Sequence, residues 1–144
     1  VTPGDVEAGG YGTQDVGLPR VRAAARVLHD AFPTVRLARP AQHPSLVVLV
    51  EQHVADPERH RVLLDDDVPH LSVLLREASV LVGPLVLPGH GPCLRCVELH
   101  RGDQDHRWPA VAAQLVATRS PVIGAEEVTL AAVGAGLAVA QCLA

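Results

Sequence analysis

The strongest chemical signal in the chain is Cys93-Leu94-Arg95-Cys96, a C-x-x-C motif that follows a loop rich in Gly and Pro. Two thiolates at this spacing can hold one edge of a tetrahedral zinc site, or close a reversible disulfide at a helix N-terminus. Structural zinc takes four ligands, and the sequence contains no second C-x-x-C. The candidate further ligands are His90 and His100, because His90, Cys93, Cys96 and His100 together read H-x2-C-x2-C-x3-H. His106 and Cys142 are more distant donors. The competing reading is a pair of buried thiols that pack as small apolar groups.

Two other polar clusters carry weaker signals. Asp65, Asp66 and Asp67 form an acidic run that reads as a solvated turn, although aligned carboxylates can bind a cation. His100, Arg101, Asp103, Asp105 and His106 make a dense polar stretch before Trp108-Pro109, by default an exposed loop, with a partner-binding edge or an acid/base group as alternatives. No G-x-S-x-G, H-E-x-x-H or Walker A pattern occurs, so the common hydrolase, zinc-protease and P-loop chemistries have no local support.

These residues need a scaffold, and 144 residues are enough for one domain with a real core. Hydrophobic residues make up 48% of the chain but aromatics only 2%, so Val, Leu and Ala must build that core. Mean hydropathy is +0.21, which leaves apolar surface for a partner to cover. All 12 basic residues are Arg, the net charge is −4, and no basic block stands out. Neither a nucleic-acid footprint nor a polybasic membrane patch is expected. Cys93, Cys96 and Cys142 make no secreted disulfide framework, and no signal segment opens the chain, so a cytoplasmic location is expected. The apolar run Val128 to Ala144 falls just short of the ~18 residues of a membrane span and reads as a core helix.

The patterning orders the elements. Val1 to Val6 reads as the tail of a strand and a turn, and Gly9, Gly10 and Gly12 as a loop. Asp15 is the expected N-cap of a helix from Val16 to Phe32, in which Val21, Ala24, Ala25 and Leu28 fall at helical spacing. Thr34 to Leu37 reads as a short strand, and Ser45 to Val50 as a central parallel strand buried on both faces. Asp56 caps a helix over Pro57 to Asp65. Strands follow at Pro69 to Leu75 and at Val80 to Leu87, the latter bent at Gly83-Pro84, with a loop at His90 to Pro92. Helices are expected over Cys93 to Arg101, Pro109 to Ala117 and Ala125 to the end. The alternation predicts an α/β fold: a Rossmann-like, doubly wound, mainly parallel sheet with an added hairpin and C-terminal helices.

Gly83 to Gly89 (GPLVLPG), followed by Pro92 to Cys96 (PCLRC), resembles the region around the first C-x-x-C of ThiF-type, ubiquitin-activating-enzyme-like proteins. With ELHRGDQD and RWP downstream, the chain is most similar to the actinobacterial ThiF-like, leader-peptide-binding proteins associated with azoline peptide biosynthesis. Asp5-Val6 with Val16-Gly17-Leu18-Pro19-Arg20 resembles the family's acidic turn and helix start, and Ser120 to Gly124 its late core segment. The resemblance implies homodimers, a precursor peptide or modifying enzyme as partner, and a zinc site at the cysteines.

In its catalytic form such a protein adenylates a C-terminal carboxylate with Mg-ATP. The resemblance then places Asp5 near the ribose, Arg20 on phosphate and Glu51 on magnesium. Adenylation also needs a G-x-G-x-x-G turn after the first strand. Nothing in the chain supplies that turn, so the fold is expected to be incomplete at its first nucleotide-binding βα unit and the chain to be a fragment. Three readings follow: a degenerate scaffold that docks partners, a fragment of an active adenylyltransferase, and a structural dimeric domain with no small-molecule site.

Overall fold

A computed structural model describes residues 1–7, 10–37, 42–118 and 128–144. They form two compact units, Val1–His43 and Pro44–Ala144. Gly9, the Ser120 to Gly124 segment and the Ala125 helix start lie outside the described residues.

The first unit holds α1 (Pro3–Glu7), a 3-10 turn (Thr13–Asp15) and α2 (Arg20–Ala31). The expected strand tail at Val1 to Val6 is therefore corrected to a short helix. Pro3 sits at its first turn, where a missing N–H costs nothing, and Asp5 reaches back to the Thr2 backbone N–H (2.6 Å) and hydroxyl (2.9 Å). The expected cap of α2 is corrected as well. Asp15 ends the 3-10 turn, Gly17 follows with φ +87°, and Pro19 occupies the N-cap position, so α2 begins at Arg20. Asp15 is instead fully buried. It accepts from the Gly12 N–H (2.8 Å), from Arg26 Nε (2.9 Å) and from a second Arg26 nitrogen. Residues 34–37 are not a strand; the Val35 N–H closes a turn on the Phe32 carbonyl (3.0 Å) instead.

The second unit is built on three strands, β1 (Val47–Gln52), β2 (His70–Arg76) and β3 (Ser79–Val86), in the order β1-β2-β3. β1 and β2 are parallel, and β2 and β3 form an antiparallel hairpin. The chain is thus a mixed α/β protein with a small mixed sheet. The strand expected at Ser45 starts two residues later and runs on through Glu51 and Gln52. The crossover between β1 and β2 is α3 (Pro57–Asp65), bounded as expected, with the Asp56 carboxylate accepting from the Glu58 N–H at 3.1 Å. After the hairpin come α4 (Leu94–Gln104), α5 (Trp108–Ala117) and α6 (Val128–Leu143).

Strand alternation divides the core between the two faces of the sheet. On one face Leu74 and Val86 pack with Ala55 and Leu94, and Leu64 of α3 and Leu81 close over them. On the other face Leu71 and Val73 pack with Ala138 of α6, flanked by Val80, Val82, Leu85 and Cys142. Burying a Leu such as Leu71 contributes about 1.5–3 kcal/mol. β3 keeps apolar residues on the α6 face across a register shift between Leu71 and Val73, opposite the cis Gly83-Pro84 bond. The bend expected at Gly83-Pro84 is this bulge. β1 is only half covered, with Val48 42% and Val50 53% exposed, where a strand buried on both faces was expected.

Candidate functional site

Glu51 stands near the C-terminal end of β1, on the face that carries Leu49 and, across the ladder, Ser72 and Leu74. In an open α/β sheet this end of a parallel strand is where ligands bind. The Glu51 side chain is fully buried, and one oxygen accepts from the Asp56 backbone N–H (3.2 Å) and from Arg59 of α3 (3.3 Å). The other faces His60 Nε2 at 2.9 Å. A buried carboxylate without such partners would carry a large desolvation cost, so α3 keeps Glu51 in place by supplying the N–H groups. Immediately after β1 the chain turns sharply. His53 has φ +63°, its N–H bonds the Leu75 carbonyl (2.8 Å), and its own carbonyl accepts from Arg76 (3.2 Å). A non-glycine residue in this left-handed region is strained, and such strain clusters at functional positions.

His60 is joined by two more buried polar side chains that sequence reasoning missed, His70 and Ser72. The His60 and His70 rings lie 5.3 Å apart between centroids, tilted by 46°. His70 Nδ1 donates to the Val68 carbonyl at 2.9 Å. The available signal was the alternation of β2: His70 and Ser72 interrupt an apolar run at positions two apart, which puts both on one face.

Arg20 and Asp5 belong to the first unit, where the structure brings them together as an ion pair at 2.8 Å. The Asp5 carboxyl is held below its ordinary value, mainly by the Thr2 N–H and hydroxyl and then by the Arg20 charge.

Cys93 is the N-cap residue of α4, and its sulfur lies 3.7 Å from that of Cys96. Both are free thiols, as is Cys142. The Cys96 backbone N–H in the first turn of α4, with smaller help from the Cys96 thiol and the Arg95 N–H, pulls the Cys93 thiol below its ordinary value. The geometry suits one edge of a zinc tetrahedron and equally a dithiol. His90 is exposed and bonds the Pro88 carbonyl (3.2 Å), and exposed His100 bonds Gln104 within α4 (3.1 Å). Among the described residues no group of three or more His, Cys, Asp or Glu is arranged to hold a metal ion. Cys93 and Cys96 therefore fit half of a zinc site, and other residues would have to supply the remaining donors.

The polar stretch before Trp108 is organised by Glu98, another residue the sequence reading passed over. Glu98 accepts from Arg101 (2.7 Å) and from the Trp108 indole N–H, and the Arg101 guanidinium lies 5.4 Å from the Trp108 ring centre. These contacts fix the corner between α4 and α5. The acidic turn is partly paired too, with Arg61 bonding Asp65 (3.0 Å) and Glu58 (2.9 Å) on an exposed helix face.

No protein-family model, curated protein or solved structure matches the chain. The chemistry of the sites therefore has to carry the functional reading.

Proposed function

We propose that the chain is a degenerate ThiF-like scaffold, which docks a precursor peptide or its modifying enzyme in an azoline-type peptide-modifying system. The supporting observation is that every residue to which the resemblance gives a nucleotide role is held by a partner in its own chain. Arg20 is paired with Asp5, and Glu51 is enclosed by the Asp56 N–H, Arg59 and His60. To reach magnesium, Glu51 would have to leave three hydrogen bonds in a buried site, a cost of several kcal/mol on the scale of about 1–3 kcal/mol per buried bond.

Docking needs an uncovered apolar face. One is available in the second unit, where Val48 and Val50 of β1 and Ala135 and Val139 of α6 border a groove of about 410 Å³. α6 carries no charged residue, and its Val133, Leu137 and Val139 are each more than half exposed. A homodimer is part of the proposal as well. No helix among the described residues is long and apolar enough to cross a membrane.

The parallel β1–α3–β2 crossover is the unit from which a Rossmann-like sheet is extended, and we read the domain as a reduced member of that class. The adenylyltransferase reading keeps one observation in its favour, the placement of Glu51 near the carboxyl end of a parallel strand.

One experiment separates the two. Purified protein is assayed for ATP–pyrophosphate exchange with magnesium, and separately for binding to leader-bearing precursor peptides by calorimetry. The scaffold reading expects peptide binding without exchange. Exchange above background would refute it in favour of the enzyme, and absence of both activities would leave the structural dimeric domain.

A further inference from the structure

Three buried polar atoms on one side of the sheet have no hydrogen-bond partner among the described residues: His60 Nδ1, His70 Nε2 and Ser72 Oγ. Buried polar groups left unpaired are rare and costly, and three on the same side of the sheet suggest a common partner. His70 and Ser72 share a face of β2, and the His60 ring from α3 lies 5.3 Å from that of His70.

The hydrogen bonds that are present determine what the partner must be. The Val68 carbonyl only accepts, so His70 Nδ1 carries the hydrogen and donates to it. The Glu51 carboxylate accepts, so His60 Nε2 carries the hydrogen on that ring. In singly protonated rings the two remaining nitrogens are therefore both bare lone pairs. They cannot bond each other. Ser72 has one hydroxyl hydrogen and can serve one of them at most, and it needs partners of its own.

We infer that this patch is a binding site for one internal water, which donates its two hydrogens to His60 Nδ1 and His70 Nε2 and accepts from the Ser72 hydroxyl. Two acceptors and one donor on the protein meet both hydrogens and one of the two lone pairs of the water, the usual three bonds of a buried water. Two acceptors bridged by a water at ~2.9 Å per bond stand about 4.7 Å apart, a spacing compatible with rings whose centres are 5.3 Å apart and tilted by 46°. The consequence is a continuous chain, Glu51–His60–water–His70–Val68, from the carboxylate near the end of β1 to the residues that lead into β2. It locks the His60 tautomer and with it the hydrogen that holds Glu51.

The test is NMR on the full chain with 15N-labelled histidine in metal-free buffer. Long-range 1H–15N spectra should show His60 as the Nε2–H tautomer and His70 as the Nδ1–H tautomer, with cross-relaxation from a slowly exchanging water to both rings. Ser72→Ala should stay folded and lose or shorten that water contact. Rings with no water contact, or with the opposite tautomers, would overturn the inference. So would zinc addition that shifts both ring nitrogens, because the patch would then be a metal site. Should Ser72→Ala fail to fold, the wild-type spectra alone decide.

Discussion

Gly134 of α6 sits over β3 so closely that a methyl group there has nowhere to go. A Cβ built on it would lie 2.7 Å from Val80 Cγ2, 3.3 Å from Cγ1 and 3.5 Å from Cβ. Val80 is β-branched and stiff at χ1, so either its rotamer or the helix must move. Two residues further along the same helix, a Cβ on Gly136 meets nothing within 4 Å. The pair forms an internal control. Gly→Ala within a helix stabilises by about 0.5–1 kcal/mol through backbone entropy, and Gly136→Ala should show that full gain. At Gly134 the same gain is set against overpacking of about 1–3 kcal/mol, so Gly134→Ala should come out about 1–2 kcal/mol less stable than wild type. With a urea m-value of about 1–3 kcal/mol/M, the two midpoints should differ by roughly 0.5–3 M, with Gly136→Ala above wild type and Gly134→Ala below. Circular dichroism at 222 nm follows both. Adding Val80→Ala to Gly134→Ala should recover part of the loss as a coupling of about 0.5–3 kcal/mol between the two sites. If Gly134→Ala stabilised as much as Gly136→Ala, α6 would not be seated on β3 as described, and the groove beside it would have no fixed wall.

Three further outcomes follow from the sites. Glu51→Ala strips His60 and Arg59 of their shared acceptor inside the second unit and should cost about 3–5 kcal/mol by urea unfolding, while Glu51→Gln, which keeps the shape and one acceptor, should cost clearly less. A lowered Cys93 thiol should alkylate with iodoacetamide at a lower pH than Cys142, read by peptide mass spectrometry; equal pH profiles would contradict the effect of the α4 N-terminus. Asp15 is held below its ordinary carboxyl value, first by the Arg26 hydrogen bonds, then by the Gly12 N–H. Its folded pKa is therefore under its unfolded value, so its contribution is present above the unfolded pKa near 3.9 and is lost as pH falls through the lower folded pKa. Acid unfolding should consequently be less steep in Asp15→Asn than in wild type across that window.

What the sequence revealed depended on how local the deciding interaction was. The Asp56-Pro57 start of α3 was legible because a cap and a first-turn proline act within three residues. The Cys93/Cys96 pair was legible for the same reason, since the spacing alone brings the sulfurs to one helix end. β1 was found but placed too early, because its apolar run ends at Val50 while the ladder continues through Glu51 and Gln52. A charged residue could be buried there only through donors on α3, and that pairing is tertiary. The same limit hid His60, His70 and Ser72. The start of α2 was misplaced because Asp15, a good capping residue by type, spends its carboxylate on Arg26, eleven positions away. At Thr2-Pro3-Gly4-Asp5 the Pro at the first turn is a helix signal, but Pro3, Gly4 and Asp5 together read as the punctuation of a turn.

The hairpin and the parallel pair also differ in the chain entropy needed to assemble them. β2 and β3 are joined by Glu77 and Ala78 alone, whereas β1 meets β2 only after the whole α3 crossover has been threaded between Val47 and His70. Closing the longer loop costs more conformational freedom, and the contacts it gains are less local. β1 is also an edge strand, and unlike β3, whose Val80 lies under α6, it leaves Val48 and Val50 open to solvent on the α6 side. It is thus expected to be the last strand to join and the first to leave, and its amides should exchange with deuterium sooner than those of β2. The carboxylate that the resemblance would give to a metal rides on that least anchored strand, so any partner that seats against β1 also tightens the hold on Glu51.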